Sequence, residues 1–251
     1  MVVVLGDMDG QFLPIEDQCR EERLLKWDRS RFMYDLVNGL YVTLRKYRRG
    51  EDANHFDFVG SIYPHHGQPL EYALAMARAQ YPVLRGEPPE TTLCITHGRR
   101  ERVNAEVNAA LRVAHPQAVF VDAPKDFPAG TANKPQAMHL WPGIVLMARV
   151  PSEDKKLKNG FRYKVLSFEG DHVELVKLDK DDAGSGDSFE LCVRDVANKL
   201  RLTHAITYFS SQARTITGSL RLTETGSKHF NIRCLIVGLG RAPNGWDVQV
   251  E

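Results

Sequence analysis

Thr92-Leu93-Cys94-Ile95-Thr96, with the segment Arg99 to Val113 behind it, sets the fold class of this chain. The first five residues read as a short strand, because a brief apolar run is bounded by polar and turn-forming residues. The segment that follows places Val103, Val107, Ala110 and Leu111 on one face at helical spacing. Val119-Phe120-Val121 then reads as another strand. Strand, helix and strand in that order predict a mixed α/β fold.

Upstream, Met1-Val2-Val3-Val4-Leu5-Gly6-Asp7 reads as a buried parallel strand running into a phosphate-side loop. Asp28-Arg29-Ser30 precedes Phe32, Met33, Leu36 and Val37, a capped helix that Gly39 ends. Leu40 to Leu44 reads as a strand, and helices are expected around His55 to Tyr63 and Leu70 to Gln80. Gly86-Glu87-Pro88-Pro89 marks a linker. From Gly143 the texture changes. Short strands at Ile144 to Ala148, Tyr163 to Phe168, His172 to Lys177 and Ser188 to Val193 alternate with turns at Asn159-Gly160, Gly170-Asp171 and Ala183 to Gly186. This spacing predicts a small antiparallel barrel. The tail reads as a helical segment near 203–212, a strand at Gly218 to Leu222, and Cys234-Leu235-Ile236-Val237 as a buried strand.

The chain has 251 residues, 43% hydrophobic and 26% charged, ordinary values for a soluble globular protein. Lys and Arg number 33 against 32 Asp and Glu, a net charge of +1. Any nucleic-acid surface must therefore be a local patch rather than a property of the whole chain. The four cysteines form no CxxC pair, and neither Cys94 with His97 nor the pair His65-His66 has the further ligands that a metal site needs. They read as thiols of a reducing compartment, and no metal site is expected. No apolar run is long enough to span a bilayer, and the start carries no basic region of a signal peptide. The expected location is cytoplasmic or nuclear.

Three stretches carry chemistry. The first is Gly6-Asp7-Met8-Asp9-Gly10-Gln11-Phe12-Leu13-Pro14-Ile15. The second is Leu202-Thr203-His204-Ala205-Ile206-Thr207-Tyr208-Phe209-Ser210-Ser211-Gln212-Ala213-Arg214-Thr215-Ile216. The third is Leu235-Ile236-Val237-Gly238-Leu239-Gly240-Arg241-Ala242. They resemble, in order, the third, fifth and sixth motifs of superfamily-one DNA helicases of the RecD-like and Pif-type family. The fifth-motif pattern is Ala-Ile-Thr-x-His-Lys-Ser-Gln-Gly-x-Thr-Ile. Here Phe209 stands for His, Ser210 for Lys and Ala213 for Gly. Leu44-Arg45-Lys46-Tyr47-Arg48-Arg49 resembles the fourth motif, and Arg100, Asn104 and Asn108 resemble a helix that carries Arg, Asn and Asn. Trp141 to Met147, with Leu157-Lys158-Asn159-Gly160, resembles the entry into the family's small β-barrel insertion.

The resemblance implies a RecA-like second helicase lobe of the P-loop NTPase type, built from residues 40–147 and 202–251. It implies a small antiparallel β-barrel insertion at 148–201 and a remnant of the first RecA-like lobe at 1–39. It implies that Gly6, Asp7, Gln11, Arg48 and Arg241 face ATP, with Gln11, Arg48 and Arg241 catalytic and Arg49 the fallback for Arg48. A fixed guanidinium stabilises the charge that spreads over a transferring phosphoryl group. Thr207, Ser211, Gln212, Thr215 and Asn159 would lie along the nucleic acid.

No GxxxxGK[ST] loop occurs, and no Asp-Glu pair ends an apolar strand. The reading is a C-terminal portion of an ATP-dependent DNA helicase, cut from its N-terminal RecA-like lobe and inactive alone. ATP and Mg²⁺ would serve the intact enzyme, with neither held strongly by this chain. Single-stranded or duplex DNA is the expected partner, with RNA open, and no membrane. Two alternatives stand: a non-catalytic single-stranded nucleic-acid-binding relic, motivated by Phe209, Ser210 and Ala213, and a decayed copy from a mobile element or virus.

Overall fold

The computed structural model describes residues 10–12, 31–40, 49–63, 66–84, 86, 88–124, 134–151, 156–178, 184, 186 and 188–251. The strand expected at Val2 to Leu5, residues 41–44 of the strand expected at Leu40 to Leu44, and Gly6, Asp7 and Arg48 lie outside these residues.

Helix α1 (Arg31–Leu36) carries an Arg31–Asp35 ion pair one turn apart, and Gly39 follows at φ 67°. Helices α2 (Ala53–Ser61) and α3 (Leu70–Gln80) fall where apolar spacing places them. Asp52 caps α2 by accepting from the backbone N–H of His55 at 3.0 Å. Strand β1 (Thr91–Cys94) leads into α4 (His97–Arg112), where the Thr96 hydroxyl accepts from the Arg99 N–H.

Four strands form a parallel sheet. They are β1, β9 (Ala205–Thr207), β10 (Leu220–Leu222) and β11 (Val248–Val250), in the order β9-β1-β10-β11. Leu93 lies opposite Ile206 on one side and Leu222 on the other, and Leu222 lies opposite Val250. These four make one buried apolar row across the sheet, each side chain contributing about 1.5–3 kcal/mol by leaving water. Helices α2, α3 and α7 (Ile232–Leu239) pack on that face. Cys94 and Ala205 face the other way and meet Val103 of α4. A parallel sheet covered on both sides by helices is the stable solution for strands this apolar.

The segment Cys234 to Val237, expected as a strand, is the middle of α7. Asn231 caps this helix by accepting from the Cys234 N–H at 3.1 Å. The run is apolar throughout because α7 is buried on nearly every side. Gly238 lets it approach the sheet, since a Cβ there would sit 2.7 Å from Leu222 Cδ2. The segment expected as helical near 203–212 divides into β9 and the short helix α6 (Tyr208–Ser211).

The second half is antiparallel. Strands β2 (Val119–Val121) and β3 (Met138–Leu140) pair with each other. Strands β4 (Val145–Ala148), β5 (Arg162–Glu169), β6 (His172–Lys177), β7 (Phe189–Cys192) and β8 (Leu200–Leu202) form one sheet in the order β7-β6-β5-β4-β8. Helix α5 (Val193–Lys199) joins β7 to β8, the two outer strands. Among the described residues no ladder joins those two strands. The sheet runs from Val145 to Leu202, slightly wider than the insertion limits 148–201. It encloses its own core, with Leu146, Tyr163, Val165, Val173 and Leu175 fully buried.

Helix α4 connects the halves through two asparagines. Asn104 donates to the Ala205 carbonyl at 3.0 Å and accepts from the Ala205 N–H at 2.8 Å. Asn108 does the same to His139 of β3, at 2.9 and 2.8 Å. Both side chains are about 98–99% buried, so each satisfies a backbone pair that would otherwise be orphaned.

Candidate nucleic-acid interface

A groove of about 1520 Å³ runs between the halves. One wall is β4, β5 and the turn before β5; the other is α4 and residues 212–217. Among the described residues five cationic side chains line it, Arg49, Arg162, Lys164, Lys177 and Arg214, against one carboxylate, Glu90. In a chain of net charge +1 this is a concentrated local patch.

Strand alternation places two of these charges. Tyr163 and Val165 are buried, so Arg162 and Lys164 point outward on β5. The turn Lys158–Phe161 closes with the Phe161 N–H donating to the Lys158 carbonyl at 3.0 Å, with Gly160 at φ 80°. This is the turn expected at Asn159-Gly160. The Tyr163 hydroxyl anchors it, accepting from the Lys158 N–H at 2.9 Å and donating to the Lys156 carbonyl at 3.1 Å. A Cβ on Gly160 would lie 2.8 Å from Arg214 Nη2, so the guanidinium packs directly on the turn. Arg214 Nε donates to the Ser210 carbonyl at 2.7 Å.

The electrostatics beneath the groove are one-sided. Burial, and then the like charge of Arg162, lower the Arg214 pKa from the usual guanidinium value. Burial pushes Arg201 down to about 10, with Arg100, Arg214 and Arg149 adding repulsion. His204, on the groove wall, is driven by burial to about 4. Its buried Nε2 has no hydrogen-bond partner among the described residues.

The structure brings together part of the expected nucleic-acid set. Asn159, Gln212 and Thr215 all line the groove. Thr207 and Ser211 do not. Thr207 is the capping residue of α6, its hydroxyl accepting from the Ser210 N–H at 3.2 Å. Ser211 is fully buried and donates to the Tyr208 carbonyl at 2.7 Å. Phe161, Arg162, Lys164, Lys177 and Arg214 were not singled out by sequence, although alternation along β5 marks Arg162 and Lys164 as outward-facing.

Of the expected ATP-facing residues, Gly6, Asp7 and Arg48 lie outside the described residues. Gln11 meets the fifth-motif stretch, accepting from Gln212 Nε2 at 3.2 Å. Arg49 is exposed on the groove. Arg241 is only 4% exposed. Its Nε donates to the Val237 carbonyl at 3.0 Å, and its Nη1 points to the carbonyls of Ser211 and Arg214 at 3.5 and 3.3 Å. Among the described residues no three His, Cys, Asp or Glu side chains converge on a metal position. No helix among the described residues is long and apolar enough to cross a membrane.

The mixed α/β arrangement, with its parallel sheet and attached antiparallel half, resembles the fold of solved Pif1 helicases. The chain is similar to Bacteroides Pif1 bound to ssDNA, with a TM-score of 0.60 and 16% identity over 96% of this chain and 60% of that one. It is similar to Bacteroides Pif1 in complex with ADP-AlF3 and ssDNA, with a TM-score of 0.58, 17% identity and coverage of 96% and 60%. It is also similar to Pif1 helicase from Candida albicans, with a TM-score of 0.55, 15% identity and coverage of 83% and 56%. The chain thus spans roughly half to three fifths of the length of these structures. No family model matches the sequence, and no curated protein matches it.

Proposed function

We propose that this chain is the nucleic-acid-gripping C-terminal portion of an ATP-dependent DNA helicase. The observation that carries the reading is the groove. Five cations, one carboxylate and the fifth-motif residues Gln212 and Thr215 converge on a single channel. Lys and Arg side chains along such a channel neutralise phosphates and release counterions. The parallel half is then the second RecA-like lobe, residues 40–147 and 202–251, and the antiparallel half the barrel-type insertion around 148–201. Residues 1–39 belong with the first lobe. ATP and Mg²⁺ act in the intact enzyme, where the first lobe supplies the phosphate loop. Alone, the chain binds DNA and hydrolyses no ATP.

Fluorescence anisotropy with a labelled oligothymidylate tests this directly. Binding is expected at about 50 mM salt and to weaken strongly by about 200 mM. Failure to bind at the lower salt overturns the gripping role. ATP turnover by the chain alone overturns the division of labour. The second reading, a strand-binding relic, is favoured by Arg241, whose Nε and Nη1 are directed at backbone carbonyls. Adding a phosphate-loop lobe separates the two, because only a helicase portion gains ATPase activity from it.

A further inference from the structure

We propose that Phe161 is the stacking platform for one base of a single DNA strand, and that Arg162 and Arg214 hold the phosphates beside it. This assignment rests on the groove being the strand site, and it adds residues that no motif names. Phe161 is 44% exposed on the groove wall, where a large apolar ring gains nothing from water. Its backbone is fixed on both sides. Its N–H donates to Lys158, and its carbonyl accepts from the Ala148 N–H at 2.9 Å. With the backbone fixed, stacking has only the side-chain rotamers left to order. Lys177 Nζ lies over one face of the ring, 4.4 Å from its centroid, so a base stacks on the opposite face.

The two arginines flank this ring through the chain itself. Arg162 follows Phe161 directly, and Arg214 packs on Gly160, the residue before it. The charge of Arg162 disfavours that of Arg214, and among the described residues Glu90 is the one carboxylate on the groove lining. An anion between two guanidinium groups relieves that repulsion and is held through their planar donor arrays. A base next to an anion, repeated along a polymer, is the chemistry of a nucleic-acid strand. Duplex bases keep their faces covered by neighbours, whereas a single strand offers a free face to the open side of this ring.

The test uses the full chain and a labelled oligothymidylate, with and without abasic positions. Phe161→Ala is expected to weaken binding of the intact strand about 5- to 150-fold and to leave the salt slope unchanged. Phe161→Trp restores affinity, which a merely folded-state role for this position does not require. Abasic DNA is bound equally by wild type and Phe161→Ala. Arg162→Gln lowers the salt slope by about 0.7, the value of one phosphate contact on a single strand. If wild type binds the strand and both Phe161→Ala and Arg162→Gln bind it identically, the platform is overturned while the groove reading stands. If wild type does not bind at all, both fall.

Discussion

Gln212 donates a hydrogen bond from Nε2 to Oε1 of Gln11 at 3.2 Å, joining residues 201 positions apart. Phe12 stacks on Phe209 beside it, with ring centroids 4.1 Å apart and planes 23° from parallel. Arg233 Nη1 donates to the Gln11 carbonyl at 3.0 Å. Three contacts thus fasten Gln11 and Phe12 to α6, to the groove-lining Gln212 and to α7. Gln11 and Phe12, far from Phe209 and Gln212 in sequence, are their neighbours in the fold.

Phe209 stands where the resembling motif has His, and its ring is committed to Phe12. Phe209→His should cost about 0.5–1.5 kcal/mol, the worth of an aromatic pair beyond simple burial. Thermal melting reads the loss, and amide exchange at Gln11 and Phe12 should quicken. Unchanged melting and exchange would show that the stack holds nothing.

Ala213 sits at φ 59°, a left-handed conformation that crowds its Cβ. The resembling motif has Gly at this position. Ala213→Gly should raise stability by about 0.5–1 kcal/mol, the strain relieved less the entropy that Gly adds to the unfolded chain. For a chain of this size that is a rise of a few degrees in Tm. A fall in Tm would mean that the strain is absorbed elsewhere.

Arg241 is a structural clamp in this conformation. Arg241→Ala should destabilise the chain by about 2–4 kcal/mol, because carbonyls of Val237, Ser211 and Arg214 lose a charged donor. Arg241→Lys should recover only part of this, since an ammonium cannot span three separated acceptors as a planar guanidinium does. Urea unfolding of the two variants measures both. Wild-type stability in Arg241→Ala would show that the clamp is idle.

His204 predicts a pH dependence. Its folded pKa, about 4, lies below the ordinary value of 6.5. Below 6.5 the unfolded chain therefore takes up a proton that the folded chain refuses. Stability from this group is complete above about pH 6.5 and falls as pH drops toward 4, by up to about 1.4 kcal/mol per pH unit. His55 is shifted the same way by burial, opposed by the Leu239 carbonyl and Asp52. The variant His204→Gln should flatten the urea-midpoint profile between pH 6.5 and 4 relative to wild type. An unaltered slope would contradict the assignment.

Much of the fold was legible in the sequence. Strand β1, helices α2, α3 and α4, and strands β5 and β6 fall within a few residues of their expected limits, because their apolar spacing is long enough to fix a period. Cys234 to Val237 failed for a physical reason. Four apolar residues with no polar interruption fit a buried helix and a buried strand equally, and Asn231 as a cap was the missed signal. The groove was harder to read. Its cations come from β5, β6 and the loops at 49 and 214, and only the packing of two sheets makes them neighbours. The fifth-motif stretch contains the groove-lining Gln212 and Thr215, yet the distinction between Thr207, used as a cap, and Thr215, open to the groove, depends on where β9 ends.

The paired amides of α4 have a mechanical meaning. Asn104 and Asn108 stand four residues apart, an axial rise of about 6 Å, and each grips a strand of a different sheet. The helix therefore acts as a ruler between two independently cored bodies, and the clearance between them is a matter of helical pitch. One residue inserted between the two asparagines would swing the second grip by about 100° around the helix axis. The channel would then change its bore with both sheets intact.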